Sequence, residues 1–386
     1  MRPAFPGLPP ASGIPLALAA APLAAGAAFL GAGALMRDRL LTVRRTRSYS
    51  HDLLAVEDGT VELARSRAAA RPGTYGLAWE GGHAVVGEVV ELRRQSVVRE
   101  LVRVDQGVLG PGKVAVDHVD VGDPRTAFGF EFEEVELESD VGRLPAWSIP
   151  AGGQGGDEWV ILVHGYGGRR ASGLSFVPML RRLGLSVFVP AYRNDPDAPP
   201  SPDRRYHLGA SEWRDLEAAI GHVTGRGATG IALYGWSMGA QVVLRAFGSG
   251  AGRDLVRGIV LDSPVLDWRE VMLHLGRARR VPDALSRLTM RLVERSLGVG
   301  LDELDWLRRA GDLDVPVLVV HGDEDETVPS GPSARLAALR PDVVTLRLVA
   351  GAGHVGSWNL DPAGYEVAVG EFLRSVGAVP GALPGA

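Results

Sequence analysis

The chain of 386 residues contains no cysteine. Disulfides, thiolate zinc sites, a cysteine nucleophile and an acylated lipoprotein cysteine are excluded together, and compartment cannot be read from redox chemistry. Lysine is nearly absent too: Lys113 stands alone, and the other basic residues are arginine. With a net charge of −5, no basic field recruits nucleic acid. Glycine is abundant instead, at 51 residues, so any short glycine-containing pattern needs support from its neighbours.

Charge is missing from residues 14 to 36 (Ile14 to Met36), a stretch long enough to cross a bilayer. Alanine and glycine dominate it, and Arg37, Arg39, Arg44, Arg45 and Arg47 follow it, against Arg2 alone before it. This pattern predicts a membrane anchor at 14–36 behind a flexible start at 1–13, with the body on the cytoplasmic side. A cleaved signal peptide, with a small-residue site such as Ala25-Gly26-Ala27, and a soluble arm are the rival readings.

Residues 37–130 lack long helical periodicity. Short β-leaning runs (Ala84 to Val90, Val97 to Val104, Val114 to Val121) between Gly- and Pro-bearing turns suggest a small β-rich region of unknown role. Gly107-x4-Gly112-Lys113 nearly matches a phosphate-binding loop, but Val114 stands where Ser or Thr would meet magnesium, so it reads as a turn. His51, His83 and His118 read as surface or packed residues.

From about 131 strands and helices alternate. Val135 to Glu138 and Ala146 to Ile149 suggest a leading β-pair. Continuous apolar runs follow at Trp159 to Val163, Val187 to Pro190, Ile231 to Tyr234, Ile259 to Leu261, Val317 to Val320 and Thr345 to Val349. Such runs, buried on both faces, are what a parallel sheet covered by helices on each side requires. Trp213, Leu216, Ile220 and Val223 share one helical face, as do Tyr365, Ala368, Phe372 and Val376.

Polar chemistry sits just after four of these strands, where such sheets place their sites. The run Leu233-Tyr234 leads into Gly235-Trp236-Ser237-Met238-Gly239, a Gly-x-Ser-x-Gly turn that exposes a serine hydroxyl between strand and helix. His164-Gly165-Tyr166-Gly167-Gly168 follows the first central strand, and its glycines let backbone N–H groups turn toward a ligand. The N–H groups of Tyr166 and Met238 are the candidate oxyanion donors. His321-Gly322-Asp323-Glu324-Asp325-Glu326-Thr327-Val328-Pro329 supplies an acid able to hold a histidine in one tautomer; a metal loop or solvated turn is the weaker reading. Gly351-Ala352-Gly353-His354-Val355-Gly356 supplies that histidine. It also matches a dinucleotide fingerprint, but too little chain remains for the unit this needs.

With these pieces in order, residues 131–376 resemble the α/β-hydrolase superfamily, particularly its bacterial esterase and serine-aminopeptidase-like branches. The resemblance implies an α/β-hydrolase fold: a mostly parallel sheet covered by helices on both faces, with a small helical cap at about 265–312. Preceding it would be the N-terminal hydrophobic helix and the β-rich region, and a flexible tail would follow at 377–386. It implies that Ser237 is the nucleophile, His354 the base and Asp325, rather than Asp323, the acid; Asp262 is the alternative acid. Cap helices are expected near Trp268 to Leu275, Asp283 to Leu297 and Asp302 to Ala310. The stripe Leu285, Leu288 and Leu292 reads as packing rather than a lipid surface. Trp236, Trp268 and Trp358, and the loop Arg193 to His207, are candidates for the pocket wall.

The expected function is serine hydrolysis of a carboxylic ester through an acyl-enzyme, needing no cofactor and no metal. The partner would be a small-molecule or peptidyl acyl substrate, with membrane contact through the N-terminal helix and no nucleic acid. Peptide or aminopeptidase-like amide hydrolysis is the alternative; a membrane-tethered, non-catalytic binding protein on a hydrolase fold is the other.

Overall fold

The computed structural model describes residues 17–43, 48–152 and 156–380, with side chains from residue 26 onward. Helix α1 runs from Ala17 to Leu41. Among the described residues no helix is long and apolar enough to cross a membrane, so the span expected at 14–36 is not supported. Alanine and glycine carry little apolar surface, and α1 does not stop at Met36 but continues through Arg37, Asp38 and Arg39. Its second half is docked on the body. A Cβ on buried Gly33 would lie 2.9 Å from Leu288 Cδ2 and 3.3 Å from Leu292 Cδ1. Leu41 is fully buried, and its carbonyl accepts from the Tyr206 N–H at 2.8 Å. The expected flexible start at 1–13 lies outside the described residues.

Six strands then close into an antiparallel barrel: β1 (His51–Glu57), β2 (Thr60–Ala64), β3 (Tyr75–Trp79), β4 (Gly82–Leu92), β5 (Ser96–Gln106) and β6 (Gly112–Asp117), in the order β1-β2-β5-β4-β3-β6. Closure leaves no unpaired edge. Leu53, Val61, Leu63, Leu77, Val86, Val97 and Val114 fill its interior. The Gly107–Gly112 segment is the turn between β5 and β6, and Lys113 pairs with Asp52 at 2.7 Å. Of the three scattered histidines, His83 is buried, bonded to Asp105 at 2.8 Å and to the His118 carbonyl at 3.0 Å. A short helix, α2 (Pro124–Phe128), capped by Asp123, leads out of the barrel.

The larger sheet holds β7 (Glu133–Ser139), β8 (Gly142–Ile149), β9 (Glu158–Val163), β10 (Ser186–Pro190), β11 (Gly230–Trp236), β12 (Val256–Asp262), β13 (Val317–Gly322) and β14 (Val344–Val349). Its order is β14-β13-β12-β11-β9-β10-β8-β7. The six strands from β9 to β14 are parallel; β8 runs antiparallel to β10 and to β7. Between β9 and β11 the winding reverses, since β10 lies on the opposite side of β9, and ligand crevices form at such a reversal.

Residues from α4 (Trp213–Gly225), α5 (Met238–Ser249) and α8 (Gly331–Leu339) share one core on the sheet with the segment expected as the cap, while α3 (Val177–Arg182), the short α9 (Ser357–Leu360) and α10 (Pro362–Ser375) contribute to a second. Past α10 the expected tail first packs: Ala378 is buried, and its N–H bonds the Leu373 carbonyl at 3.0 Å.

The segment expected as the cap holds α6 (Trp268–Ala278) and α7 (Asp283–Leu297), and Leu288 and Leu292 serve as the seat for α1, a packing role. The third expected cap helix, Asp302 to Ala310, is only two short 3₁₀ turns, Leu301–Leu304 and Ala310–Asp312. The Asp305 carboxylate takes the N–H groups of Leu307 and Arg308, and the Trp306 N–H turns to the Leu266 carbonyl. Those side-chain bonds compete with the helical ladder.

Candidate active site

Ser237 joins β11 to α5 with φ 54° and ψ −122°, a conformation that costs a non-glycine residue free energy and holds its side chain out of the regular ladder. Its flanking glycines are sterically required. A Cβ on Gly235 would lie 2.6 Å from the Gly239 carbonyl oxygen, and one on Gly239 2.2 Å from that of Val163. The Ser237 N–H donates to the Asp262 carbonyl at 2.9 Å, tying the turn to the neighbouring strand.

Two other loops deliver the partners. His354 Nε2 stands 2.9 Å from Ser237 Oγ, and its Nδ1 stands 2.7 Å from Asp325 Oδ2. A carboxylate only accepts, so Nδ1 carries the proton and Nε2 is left to accept from the serine hydroxyl. Asp325 Oδ1 takes the N–H groups of Thr327 and Val328, each at 2.8 Å. Burial alone would raise the Asp325 pKa. Hydrogen bonds from His321 and His354, with the Val328 N–H, more than offset that and hold the carboxyl well below the usual range. His321 is itself buried, with Nδ1 2.8 Å from Ser333 Oγ and Nε2 3.0 Å from the Val328 carbonyl. Sequence reasoning passed over His321 although it opens the acid-loop motif.

Asp262, the alternative acid, faces elsewhere. Its carboxylate accepts from Tyr365 Oη at 2.8 Å and Ser263 Oγ at 3.1 Å, and Tyr365 is in turn bonded to the Tyr234 hydroxyl. Burial pushes its pKa up to about 6, against the partial relief those hydroxyls give. The Ser263 hydroxyl also accepts from the Val355 N–H at 3.0 Å, bracing the loop beside His354.

Tyr166 follows β9 in the glycine-bearing loop, and Met238 is the first residue of α5. A Cβ on Gly165 would come within 2.9 Å of Ser237 Cβ, so glycine is what lets this loop close on the serine. The Tyr166 hydroxyl donates to the Leu40 carbonyl at 2.8 Å, which brings the end of α1 to the same loop. Behind it, His164 is buried against Asp195, Nε2 to Oδ2 at 2.7 Å.

The expected wall residues divide. Trp236 and Trp268 are core, the latter donating Nε1–H to the Leu208 carbonyl at 2.9 Å, and Trp358 packs edge-on against Phe176. In the 193–207 loop, Arg193 is buried on Asp215 at 2.7 Å, and Arg205 reaches Asp38 of α1 at 3.1 Å. That loop braces the fold.

The family model described as the alpha/beta hydrolase family matches residues 160–368. This chain belongs to the α/β-hydrolase family. A second model, described as a domain of unknown function (DUF8805), matches residues 52–117, the barrel. Among relatives, the uncharacterized protein Rv2307c of Mycobacterium tuberculosis (strain ATCC 25618 / H37Rv) is 30% identical over 245 residues, 62% of this chain and 78% of that protein. The uncharacterized protein YfhR of Escherichia coli (strain K12) is 24% identical over 247 residues, 61% and 76% respectively. The solved structure of the Pyrococcus furiosus esterase Pf2001 superposes with a TM-score of 0.52 at 21% identity, covering 66% of this chain and 95% of that one, a likeness of fold.

Proposed function

We propose that this α/β hydrolase is a serine esterase that cleaves a carboxylic ester in two steps through an acyl-enzyme. One observation carries the reading: the unbroken hydrogen-bonded line from Ser237 Oγ through His354 to Asp325, at 2.9 and 2.7 Å. His354 Nε2 takes the Ser237 proton as Oγ attacks the carbonyl carbon. Asp325 keeps Nδ1 protonated and offsets the charge of the imidazolium. Backbone N–H groups of Tyr166 and Met238 receive the negative oxygen. His354 then gives its proton to the leaving alcohol, and a water repeats the sequence to release the acid.

The test is labelling with a fluorophosphonate probe together with turnover of p-nitrophenyl acetate. Wild-type protein should label and turn over. Ser237→Ala should not label, and Ser237→Ala and His354→Ala should each lose about 10⁴–10⁶-fold in kcat. Equal labelling of wild type and Ser237→Ala would remove the serine from the role. Absence of any turnover would favour a non-catalytic binding protein.

A further inference from the structure

Between 323 and 326 the chain carries four consecutive acids, and the proposed reaction uses only one. The structure accounts for the others. Asp323 Oδ1 accepts the Gly351 N–H at 2.8 Å, joining the acid loop to the loop of His354. Glu324 and Glu326 meet arginines that follow β2 in the barrel, Arg67 at 3.4 Å and Arg71. The first of these pairs is solvent-exposed on both sides and contributes little. The second is different.

Arg71 is four-fifths buried and lies against the base loop. A Cβ added at Gly353, the residue before His354, would fall 2.8 Å from both Arg71 Cζ and Nε. One guanidinium therefore packs against the residue before His354 while pairing with Glu326, the residue after Asp325. Beside it the chains are stitched in both directions: the Thr74 N–H donates to the Asn359 carbonyl at 2.9 Å, and Asn359 Nδ2 donates to the Thr74 carbonyl at 2.7 Å.

The barrel segment that makes these contacts is rigidly built. Arg99, 1% exposed, spends its guanidinium on the carbonyls of Ala69, Arg71, Gly73 and Gly87, at 2.5–3.0 Å. A buried cation satisfied by backbone oxygens fixes a loop that has no regular ladder of its own. From the other side, His274 of α6 bonds the Glu326 carbonyl at 3.0 Å. The residue next to the acid is thus held by its backbone from α6 and by its side chain from the barrel.

We infer that the barrel is a positioning module for the hydrolase, acting through Arg71, which sets the acid loop and base loop relative to each other. Arg71 is a positioning residue that works through Glu326 and Gly353. This rests on the Ser237–His354–Asp325 reading for its kinetic consequence but not for its structural one, and the two are measured separately.

The experiment uses the full chain as wild type, Arg71→Ala, Arg71→Lys, Glu326→Gln and the Arg71→Ala/Glu326→Gln pair. Backbone hydrogen exchange is followed by mass spectrometry, and p-nitrophenyl ester hydrolysis in parallel. Arg71→Ala should speed exchange at least about tenfold in both 322–328 and 351–357 while the strands of the barrel keep their protection. It should lower kcat about 10–100-fold with KM within about twofold, because a misplaced base costs the transition state and not substrate binding. Glu326→Gln should give a similar loss, the pair no more than the larger single loss, and Arg71→Lys an intermediate value. Unchanged exchange in the two loops overturns the proposal whether or not the protein turns over ester. So does a loss that is additive, or one carried by KM. Failure of wild type to hydrolyse or label would overturn the esterase reading alone, with the exchange result still deciding this one.

Discussion

His321 and Asp325 form a buried pair, Nε2 to Oδ2 at 3.3 Å, behind the 2.7 Å contact the same oxygen makes with His354. The first imidazole cannot reach the serine; its Nδ1 is engaged by Ser333 and its Nε2 also meets the Val328 carbonyl. His321→Phe fills comparable space but strands the Ser333 hydroxyl and the Val328 carbonyl without a partner. Unpaired buried polar groups cost about 1–3 kcal/mol each, so urea unfolding should show a loss of roughly 2–4 kcal/mol at unchanged m-value. A loss below about 0.5 kcal/mol would mean that the pair is not maintained in solution.

Asp325 also predicts a pH dependence of stability. Its carboxyl is held below the usual range by His321 and His354, so the folded state releases this proton more readily than the unfolded chain, whose value is near 3.9. The stabilisation is therefore complete above about pH 5 and fades as pH falls below about 4. Asp325→Asn should lower stability by about 3 kcal/mol at pH 7, the range for breaking a buried ion pair. That gap should narrow steadily when unfolding is repeated from pH 5 down to pH 3; a constant gap would contradict the assignment.

The serine turn makes a steric prediction. A methyl group at Gly239 would sit 2.2 Å from the Val163 carbonyl oxygen and 2.4 Å from that of His164, both backbone atoms that cannot rotate away. Gly239→Ala should thus separate β9 from α5, with roughly 1–3 kcal/mol lost in thermal unfolding and labelling of Ser237 slowed. Gly59→Ala is the comparison at the other extreme of space: nothing lies within 4 Å of its added Cβ, so only its φ of +72° opposes it. Wild-type stability and labelling in Gly239→Ala would show that the elbow tolerates a side chain.

What could be read in the residues follows from how local each signal is. The strands β9 to β14 announce themselves as apolar runs, and Ser237, Asp325 and His354 sit on loops directly after β11, β13 and β14, where position along the chain nominates them as candidates. The barrel was legible only as β-leaning pieces. β1 and β3 lack a clean alternation, β2 alternates over only five residues, and closure depends on pairings such as β1 with β6 that local sequence cannot announce. Glu324 and Glu326 looked like surplus charge because their partners, Arg67 and Arg71, lie some 250 residues away. The charge-free stretch 14–36 pointed to a bilayer, whereas helix α1 carries Arg37, Asp38 and Arg39 near its end and docks on Leu288 and Leu292, where Gly33 allows close approach.

Asp262 offers the last prediction, and its sign is opposite to that of Asp325. Burial raises its folded value from 3.8 to about 6, so the folded state keeps this proton over a range in which the unfolded chain has lost it. The carboxyl costs nothing below about pH 4, and its penalty grows between pH 4 and 6 and is full above that. A rise from 3.8 to about 6 corresponds to at most about 3 kcal/mol. An asparagine there still offers Oδ1 to the Tyr365 hydroxyl and carries no charge to bury. Asp262→Asn should consequently match wild type near pH 4 and exceed it increasingly toward pH 8, read as Tm across a pH series. Ester hydrolysis should persist within about tenfold, since His354 bonds Asp325 and not Asp262. A loss of activity as deep as that of Asp325→Asn would move the acid's role to Asp262, and an Asp262→Asn protein less stable than wild type at pH 8 would show that the buried carboxylate is favourably held.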